Sequence, residues 1–290
     1  MQMKRHSDIS TGPRAIFLHI PKTAGFTLQK IVERQYSPQS IYTLELSNEL
    51  ESIHEFQNLS QARRAQIRLL KGHLNMGQKL HEFLPPPVTY FTILRDPVER
   101  VISHYCFVRE TPGHYLQDLA TDKDLKGLLQ GRYAIMLNDA HVRLLSGVWG
   151  DLPFGECTQE TLETAKKNLF EHFAVVGLTE RFDETLLLLK KTFSWRNVFY
   201  TPKNVTANRP TRDELPLGTL EAVIKANRLD IELYQYATRL FEEQVRRQGP
   251  LFPIKVRVFQ YFNQSYGSKL EQDPFASVIR LLISKWIRLG

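Results

Sequence analysis

The chain has 290 residues, of which 42% are hydrophobic and 24% are charged, and its formal net charge is +7. This composition is that of an ordinary globular protein and excludes a disordered or fibrous chain. Cys106 and Cys157 are the two cysteines, so a disulfide framework is excluded, and no Cys-x-x-Cys or His/Cys cluster indicates a metal site. The basic balance fits an anionic ligand. Because the sequence has no recognition-helix or RNA-binding signature, we expect no nucleic-acid partner.

Residues 1–14, MQMKRHSDISTGPR, contain no apolar run. They predict a flexible arm that is neither a signal peptide nor a membrane anchor.

Residues 15–27, AIFLHIPKTAGFT, read as a strand, a loop and the start of a helix. The apolar run 15–18 is typical of a buried parallel strand, the chain breaks at Pro21, and helical spacing follows the loop. This arrangement points free backbone amides and the positive end of a helix dipole at whatever lies in the loop. We therefore predict a site for a phosphate-like anion, with an ordinary tight turn as the structural alternative. It is not a Walker A loop, because Lys22 precedes Gly25.

A second buried strand is predicted over residues 88–94, and its end is informative. Asp96, Pro97 and Glu99 have the spacing of a capping box, so a helix should start at Pro97 and Arg95 should lie at the junction. Ser103 follows one turn after Glu99 on the same helix face. Arg95 and Ser103 are therefore expected to reach one phosphate at the carboxyl ends of the strands.

The two segments, His19 to Thr27 and Thr92 to Tyr105, resemble the 5'-phosphosulfate loop and the 3'-phosphate segment of sulfotransferases. The likeness is to the branch of heparan sulfate 2-O- and 6-O-sulfotransferases and their bacterial relatives, and it covers about residues 15–248. It implies a three-layer, P-loop-like α/β fold with a mostly parallel central sheet. We expect a sulfotransferase domain over 15–250, the arm 1–14 before it, and a C-terminal appendage over 251–290.

The resemblance implies transfer of a sulfuryl group from 3'-phosphoadenosine 5'-phosphosulfate to an acceptor hydroxyl, expected to be on a carbohydrate. No metal is required. Lys22 would neutralise the leaving 5'-phosphate, and Arg95 and Ser103 would hold the 3'-phosphate. The 5'-phosphate would be cradled by the loop residues Thr23, Ala24, Gly25, Phe26 and Thr27. The loop departs from the family pattern at Ala24, a small change, and at Phe26, which replaces a common hydroxyl.

A general base should assist the hydroxyl, which is a weak nucleophile. His73 is the first candidate, because the ordinary pKa of histidine lies near neutral pH. The resemblance also favours it, since related glycan sulfotransferases carry their base between the two phosphate segments. A structural role is the alternative for His73. His19 is the second candidate, although it fits bracing of the loop better. Glu33, predicted on a solvated helix face, and His104 are weaker candidates.

The basic loop 201–212 contains Lys203, Asn204 and Arg209, which either close over the nucleotide or remain solvated. Residues 274–289 have the pattern of a basic amphipathic helix. That helix could lie on an acidic membrane, but docking on the domain or on a second subunit is favoured.

The eukaryotic members of the family are Golgi proteins with an N-terminal anchor. Because residues 1–14 contain no such anchor, we expect a cytoplasmic bacterial-type member or a catalytic domain cut from a longer chain. One rival function is an Mg-ATP phosphotransferase. The other is a nucleotide- or glycan-binding peripheral membrane protein without turnover.

Overall fold

The computed structural model describes residues 12–45, 48–201 and 209–264. Five strands form one sheet in the order β2-β3-β1-β4-β5, and every neighbouring pair is parallel. The strands are β1 (Arg14–Leu18), β2 (Ile41–Thr43), β3 (Leu69–Gly72), β4 (Val88–Leu94) and β5 (Phe173–Leu178). The predicted α/β fold with a mostly parallel sheet is confirmed.

The central strands are buried on both faces. Residues 15–18 of β1 and all four residues of β3 are buried. Since successive side chains of a strand point to opposite faces, helices must cover the sheet on both sides. This gives the three layers that the sequence predicted.

The described residues contain twelve α-helices. They are α1 (Gly25–Glu33), α2 (Glu49–Gln57), α3 (Gln61–Gln66), α4 (Pro97–Glu110), α5 (Gln117–Asp122), α6 (Leu125–Gln130), α7 (Ala140–Ser146), α8 (Gln159–His172), α9 (Phe182–Thr192), α10 (Leu217–Ala226), α11 (Arg228–Arg246) and α12 (Phe252–Gln264).

The predicted cap of α4 is half of a capping box. The Asp96 carboxylate accepts a hydrogen bond of 3.0 Å from the Glu99 amide, and Pro97 opens the helix. The Asp96 amide, however, donates to Glu180 at 2.9 Å. Glu99 instead turns towards Arg95 and Arg209, because two guanidinium groups attract its carboxylate more strongly than one amide does.

The helical region after residue 216 is divided into α10 and α11 at Asn227. Asn227 is fully buried, and its side chain donates to the Leu137 carbonyl at 2.9 Å and accepts from the Asp139 amide at 3.1 Å. These bonds to a distant segment are compatible with a break that helical periodicity alone does not indicate.

Helix α12 packs against α9 and buries Phe252, Val256 and Phe259 in the main core. The predicted appendage 251–290 therefore begins with a helix that shares the core of the preceding domain. The basic helix 274–289, the residues Lys203 and Asn204, and most of the arm 1–14 lie outside the described residues. Within the described ranges, no helix is both long and apolar enough to cross a membrane.

Candidate functional site

The topology brings the predicted site residues to one edge of the sheet. His19, His73 and Arg95 directly follow β1, β3 and β4, which are parallel neighbours. Leu18 of β1 pairs with Gly72 of β3, so the two histidines that follow are neighbours, and their ring centroids lie 4.5 Å apart. The carboxyl ends of parallel strands are the usual place for ligands in this class of fold.

The loop after β1 is held in an unusual backbone conformation. Lys22 and Ala24 have φ values of 73° and 61°, in the left-handed region that ordinary residues avoid. Thr23 between them is buried, and its hydroxyl donates to the Ile20 carbonyl at 2.8 Å. The Thr23 hydroxyl therefore braces the loop from within.

A cavity of about 760 Å³ opens at this edge of the sheet. It is within the size range of small-molecule sites. Its lining includes all the predicted site residues other than Thr23, namely Lys22, Ala24, Gly25, Phe26, Thr27, His73, Arg95 and Ser103. The two weaker histidine candidates, His19 and His104, line it as well.

Gly25 has a packing role that the sequence did not predict. A Cβ at this position would lie 1.9 Å from Nε2 of His19. The ring of His19 therefore occupies the space that a side chain at residue 25 would need. The His19 ring in turn contacts the ring of His73. A side chain added at residue 25 would therefore displace His19 and, through it, the candidate base.

Three cationic side chains, Lys22, Arg95 and Arg209, line the cavity, and no carboxylate of the described residues does so. Arg95 donates to the Lys22 carbonyl at 3.1 Å, which ties the two predicted phosphate-binding segments together. Arg209 forms an ion pair of 2.7 Å with Glu99. Burial lowers the pKa of the Lys22 ammonium, and the charge of Arg95 lowers it further. An anion in the cavity would relieve this repulsion among the cations.

The histidines of the cavity are neutral at pH 7. Burial, followed by the charges of neighbouring His73 and Lys71, lowers the pKa of His19 to about 3. Burial, followed by Arg100 and Lys22, lowers the pKa of His104 to about 3. Burial also lowers the pKa of His73. Each ring is therefore able to accept a proton or a hydrogen bond, although deep burial makes His19 and His104 weak bases.

Glu33 does not lie on a solvated face, as the sequence suggested. Its carboxylate pairs with Lys71 of β3 at 3.0 Å, and the Lys71 side chain is only 5% exposed. The Glu33 carboxylate therefore forms an ion pair instead of facing solvent alone. This pair connects the end of α1 with β3, the strand that His73 follows.

Apart from Phe26, sequence reasoning missed the aromatic residues of the cavity, among them Phe107, Tyr115 and Trp149. The sequence could have indicated Phe107 as a cavity residue, because it lies four residues after Ser103 on the same face of α4. Trp149 follows Gly147, which has φ 95° and lies against the backbone of Gly77. That contact joins segments distant in the chain, so no local pattern indicates it.

Comparison with known proteins identifies several relatives. The model of the family described as galactose-3-O-sulfotransferase matches residues 4–264. Human heparan-sulfate 6-O-sulfotransferase 2 is 31% identical over an alignment of 219 residues that covers 61% of this chain and 36% of that protein. Human galactose-3-O-sulfotransferase 3 is 28% identical over an alignment of 253 residues that covers 80% of this chain and 57% of that protein. The chain thus matches about a third to somewhat over half of the length of these relatives.

Among solved structures, mouse sulfotransferase SULT7A1 complexed with PAP aligns with 12% identity and a TM-score of 0.38, over 86% of this chain and 88% of that one. The family match extends over nine tenths of the sequence and includes both segments that line the cavity. The chain belongs to the galactose-3-O-sulfotransferase family.

Proposed function

We propose that this chain transfers a sulfuryl group from 3'-phosphoadenosine 5'-phosphosulfate to a hydroxyl group of a carbohydrate. The observation that carries the proposal is that Lys22 and residues 24–27 line the same cavity as Arg95 and Ser103. Membership of the family supports the same reaction.

The residues present fit the proposed donor. Its two phosphate-bearing ends need cations on two sides, and the cavity offers Lys22 from the loop after β1 and Arg95 from the end of β4. Arg209 adds a third cation beside Arg95. The absence of carboxylates from the described lining removes a source of repulsion for a polyanion.

The donor, when bound, supplies a sulfur centre that is open to in-line attack. Lys22 is placed to neutralise charge on the 5'-phosphate as the bond from its oxygen to sulfur breaks, which is electrostatic stabilisation of the transition state. Helix α1 begins at Gly25, and its positive end adds to this stabilisation. Arg95 and Ser103 bind the 3'-phosphate and so hold the reacting group in position.

His73 acts as the general base in this proposal. The acceptor oxygen forms its bond to sulfur while His73 takes the proton of the hydroxyl. The ring is neutral at pH 7 because burial lowers its pKa. His19 contacts the ring of His73 and limits its movement.

Calorimetric titration with 3',5'-adenosine bisphosphate, ADP and Mg-ATP tests the donor assignment. We expect the bisphosphate to bind without added metal and more tightly than either of the other nucleotides. Equal or tighter binding of Mg-ATP would instead favour the phosphotransferase, and binding of none of the three would favour the peripheral membrane protein.

The variant Lys22→Ala should reduce the rate of sulfuryl transfer about 10²–10³-fold, which is the cost of losing one preorganised charge-stabilising group. Lys30→Ala is the matched control, because Lys30 lies on α1 with a side chain that is 60% exposed. An unchanged rate in Lys22→Ala, measured with labelled donor, would remove Lys22 from the reaction.

The cytoplasmic location also remains a proposal. Fractionation of cells that express the full chain tests it, and recovery in the membrane fraction would contradict it.

A further inference from the structure

One wall of the cavity is aromatic and uncharged. Phe107 of α4, His114 and Tyr115 all line the cavity. The His114 ring stacks on Tyr115 with centroids 4.8 Å apart, and the edge of Phe107 meets His114 at 5.9 Å. Phe107 is 40% exposed and Tyr115 is 80% exposed, so both rings are available to a ligand. We call these three residues the aromatic wall.

The aromatic wall adjoins the proposed reacting centre. The Lys22 ammonium lies 4.3 Å from the centroid of the Phe107 ring. A molecule that contacts this wall therefore lies close to Lys22 and to the 5'-phosphate that Lys22 is proposed to stabilise. Ser103, one turn earlier on α4, lies on the proposed donor side, so the helix passes from one half of the cavity to the other.

Lys22 is the cation of the described lining that contacts the aromatic wall, through the ring of Phe107. Arg95 and Arg209 are held together through Glu99, on the side proposed for the 3'-phosphate. Lys22 is proposed for the 5'-phosphate. Burial lowers the pKa of His114, and that ring is therefore neutral at pH 7. The described residues offer no further cation of the lining for the sulfates or carboxylates of a polyanionic acceptor.

We propose that the aromatic wall is the acceptor subsite and that it binds an uncharged ring carrying the reactive hydroxyl. An apolar ring face stacks favourably on aromatic side chains, whereas a polyanion would gain no ion pair there. The face can come from a neutral sugar or from a phenol, which share this chemistry. The inference rests on the proposed sulfuryl transfer and adds the acceptor class and the residues that select it.

The test measures transfer from saturating donor to three probes: neutral methyl glycosides, 2-naphthol and a heparan sulfate oligosaccharide. We expect transfer to a neutral probe, and the comparison of glycosides with 2-naphthol identifies the kind of ring. For that probe, Tyr115→Ala should raise KM about tenfold, as expected for a lost stacking contact, while kcat changes little. Tyr115→Phe keeps the ring and should restore the wild-type KM.

Tyr261→Ala is the matched control. Tyr261 is also a well-exposed tyrosine, at 69%, but it lies on α12 and does not line the cavity. Affinity for 3',5'-adenosine bisphosphate should be the same in all variants, which separates the acceptor subsite from the donor site. If the wild-type protein binds no bisphosphate, the proposed reaction and this inference both fail. If it binds the bisphosphate but sulfates only the heparan sulfate oligosaccharide or none of the probes, or if Tyr115→Ala leaves KM unchanged, the inference alone is overturned.

Discussion

Ala24 and Gly25 are adjacent residues of the loop under opposite constraints. Ala24 has a φ of 61°, a conformation in which a methyl group is unfavourable and glycine is at ease. Gly25 starts α1, and a methyl group there would meet His19 at 1.9 Å. Position 24 therefore tolerates replacement of its alanine by glycine, whereas position 25 tolerates no residue larger than glycine.

Gly25→Ala should lower the rate of sulfuryl transfer about tenfold or more, because displacement of His19 would move the His73 ring from its position for proton transfer. Ala24→Gly should leave the rate within about twofold of wild type, because it relieves a strained backbone conformation. Steady-state kinetics of the two variants checks both. Equal losses in both variants would indicate that the loop responds to any change, and that the contact with His19 is not the cause.

The protonation of His73 predicts a pH profile. A general base works only when it is unprotonated, and burial lowers the pKa of His73 below its ordinary value of 6.5. The transfer rate should therefore fall on acidification, with its midpoint below pH 6.5. His73→Gln should have little activity and no such acid limb. A midpoint at or above 6.5 in the wild-type profile would contradict the assignment of His73.

At the scale of elements, an ion pair joins α1 to β3. Lys71 lies within β3, and its partner Glu33 is the last residue of α1. Glu33 also pairs with Lys30 at 3.2 Å, where the lysine is 60% exposed. The Glu33 carboxylate thus has a buried partner and an exposed partner. The contributions of the two ion pairs to stability can therefore be compared within one protein.

Lys71→Met should lower the free energy of unfolding by about 1–3 kcal/mol, because it removes a charge-assisted bond from a poorly solvated carboxylate. Lys30→Met should cost about 0–1 kcal/mol, as exposed ion pairs do. Urea denaturation of both variants measures the difference. A Lys71→Met variant as stable as wild type would mean that burial of the methionine offsets the lost pair.

Helices α7 and α11 cap each other. The Asp230 carboxylate of α11 accepts from the amides of His141 and Val142 at 3.1 and 2.8 Å, at the start of α7. The Asp139 carboxylate, just before α7, accepts from the Asp230 amide at 2.9 Å. The segment from Asn138 to Gly147 thus has a structural role: it anchors the turn that leads to Trp149 on the cavity wall.

At the scale of the whole molecule, this pair of carboxylates predicts a pH dependence of stability. Burial, followed by the charge of Asp230, raises the pKa of Asp139 from an ordinary value of 3.8 to about 7. Between these values the folded protein holds a proton that the unfolded chain has lost. The stability that this proton contributes is therefore lost as the pH rises from about 4 to about 7, and it stays lost above that range.

Asp139→Asn should flatten this part of the pH dependence, because the amide has no proton to lose and its oxygen can still accept from the Asp230 amide. Unfolding by urea at pH 5 and at pH 8 measures the effect. Asp151→Asn, at an exposed aspartate, is the control and should retain the wild-type slope. If the free energy of unfolding of Asp139→Asn changes with pH as it does in the wild type, groups other than Asp139 cause the dependence.

Local patterns were sufficient to predict the strands and the helix that carry the two cavity-lining segments. The apolar runs before His19 and Arg95 predicted β1 and β4, and the spacing of Asp96, Pro97 and Glu99 predicted the start of α4. These predictions succeeded because strand burial and helix capping depend on residues a few positions apart. The site assignments remain predictions, although most of their residues share one cavity.

The sequence by itself thus determined the elements that carry the two cavity-lining segments, since each depends on residues within about one turn or strand of each other. The resemblance of these two segments to known sulfotransferases indicated the family and, with it, the fold class. Only the tertiary structure decided that His19 fills the space beside Gly25 and that Glu33 pairs with Lys71. Only it placed Tyr115 and Trp149 on the cavity wall and ended α10 at Asn227. These features depend on contacts between residues far apart in the chain, and the register of the parallel strands and the packing of helices on them create those contacts.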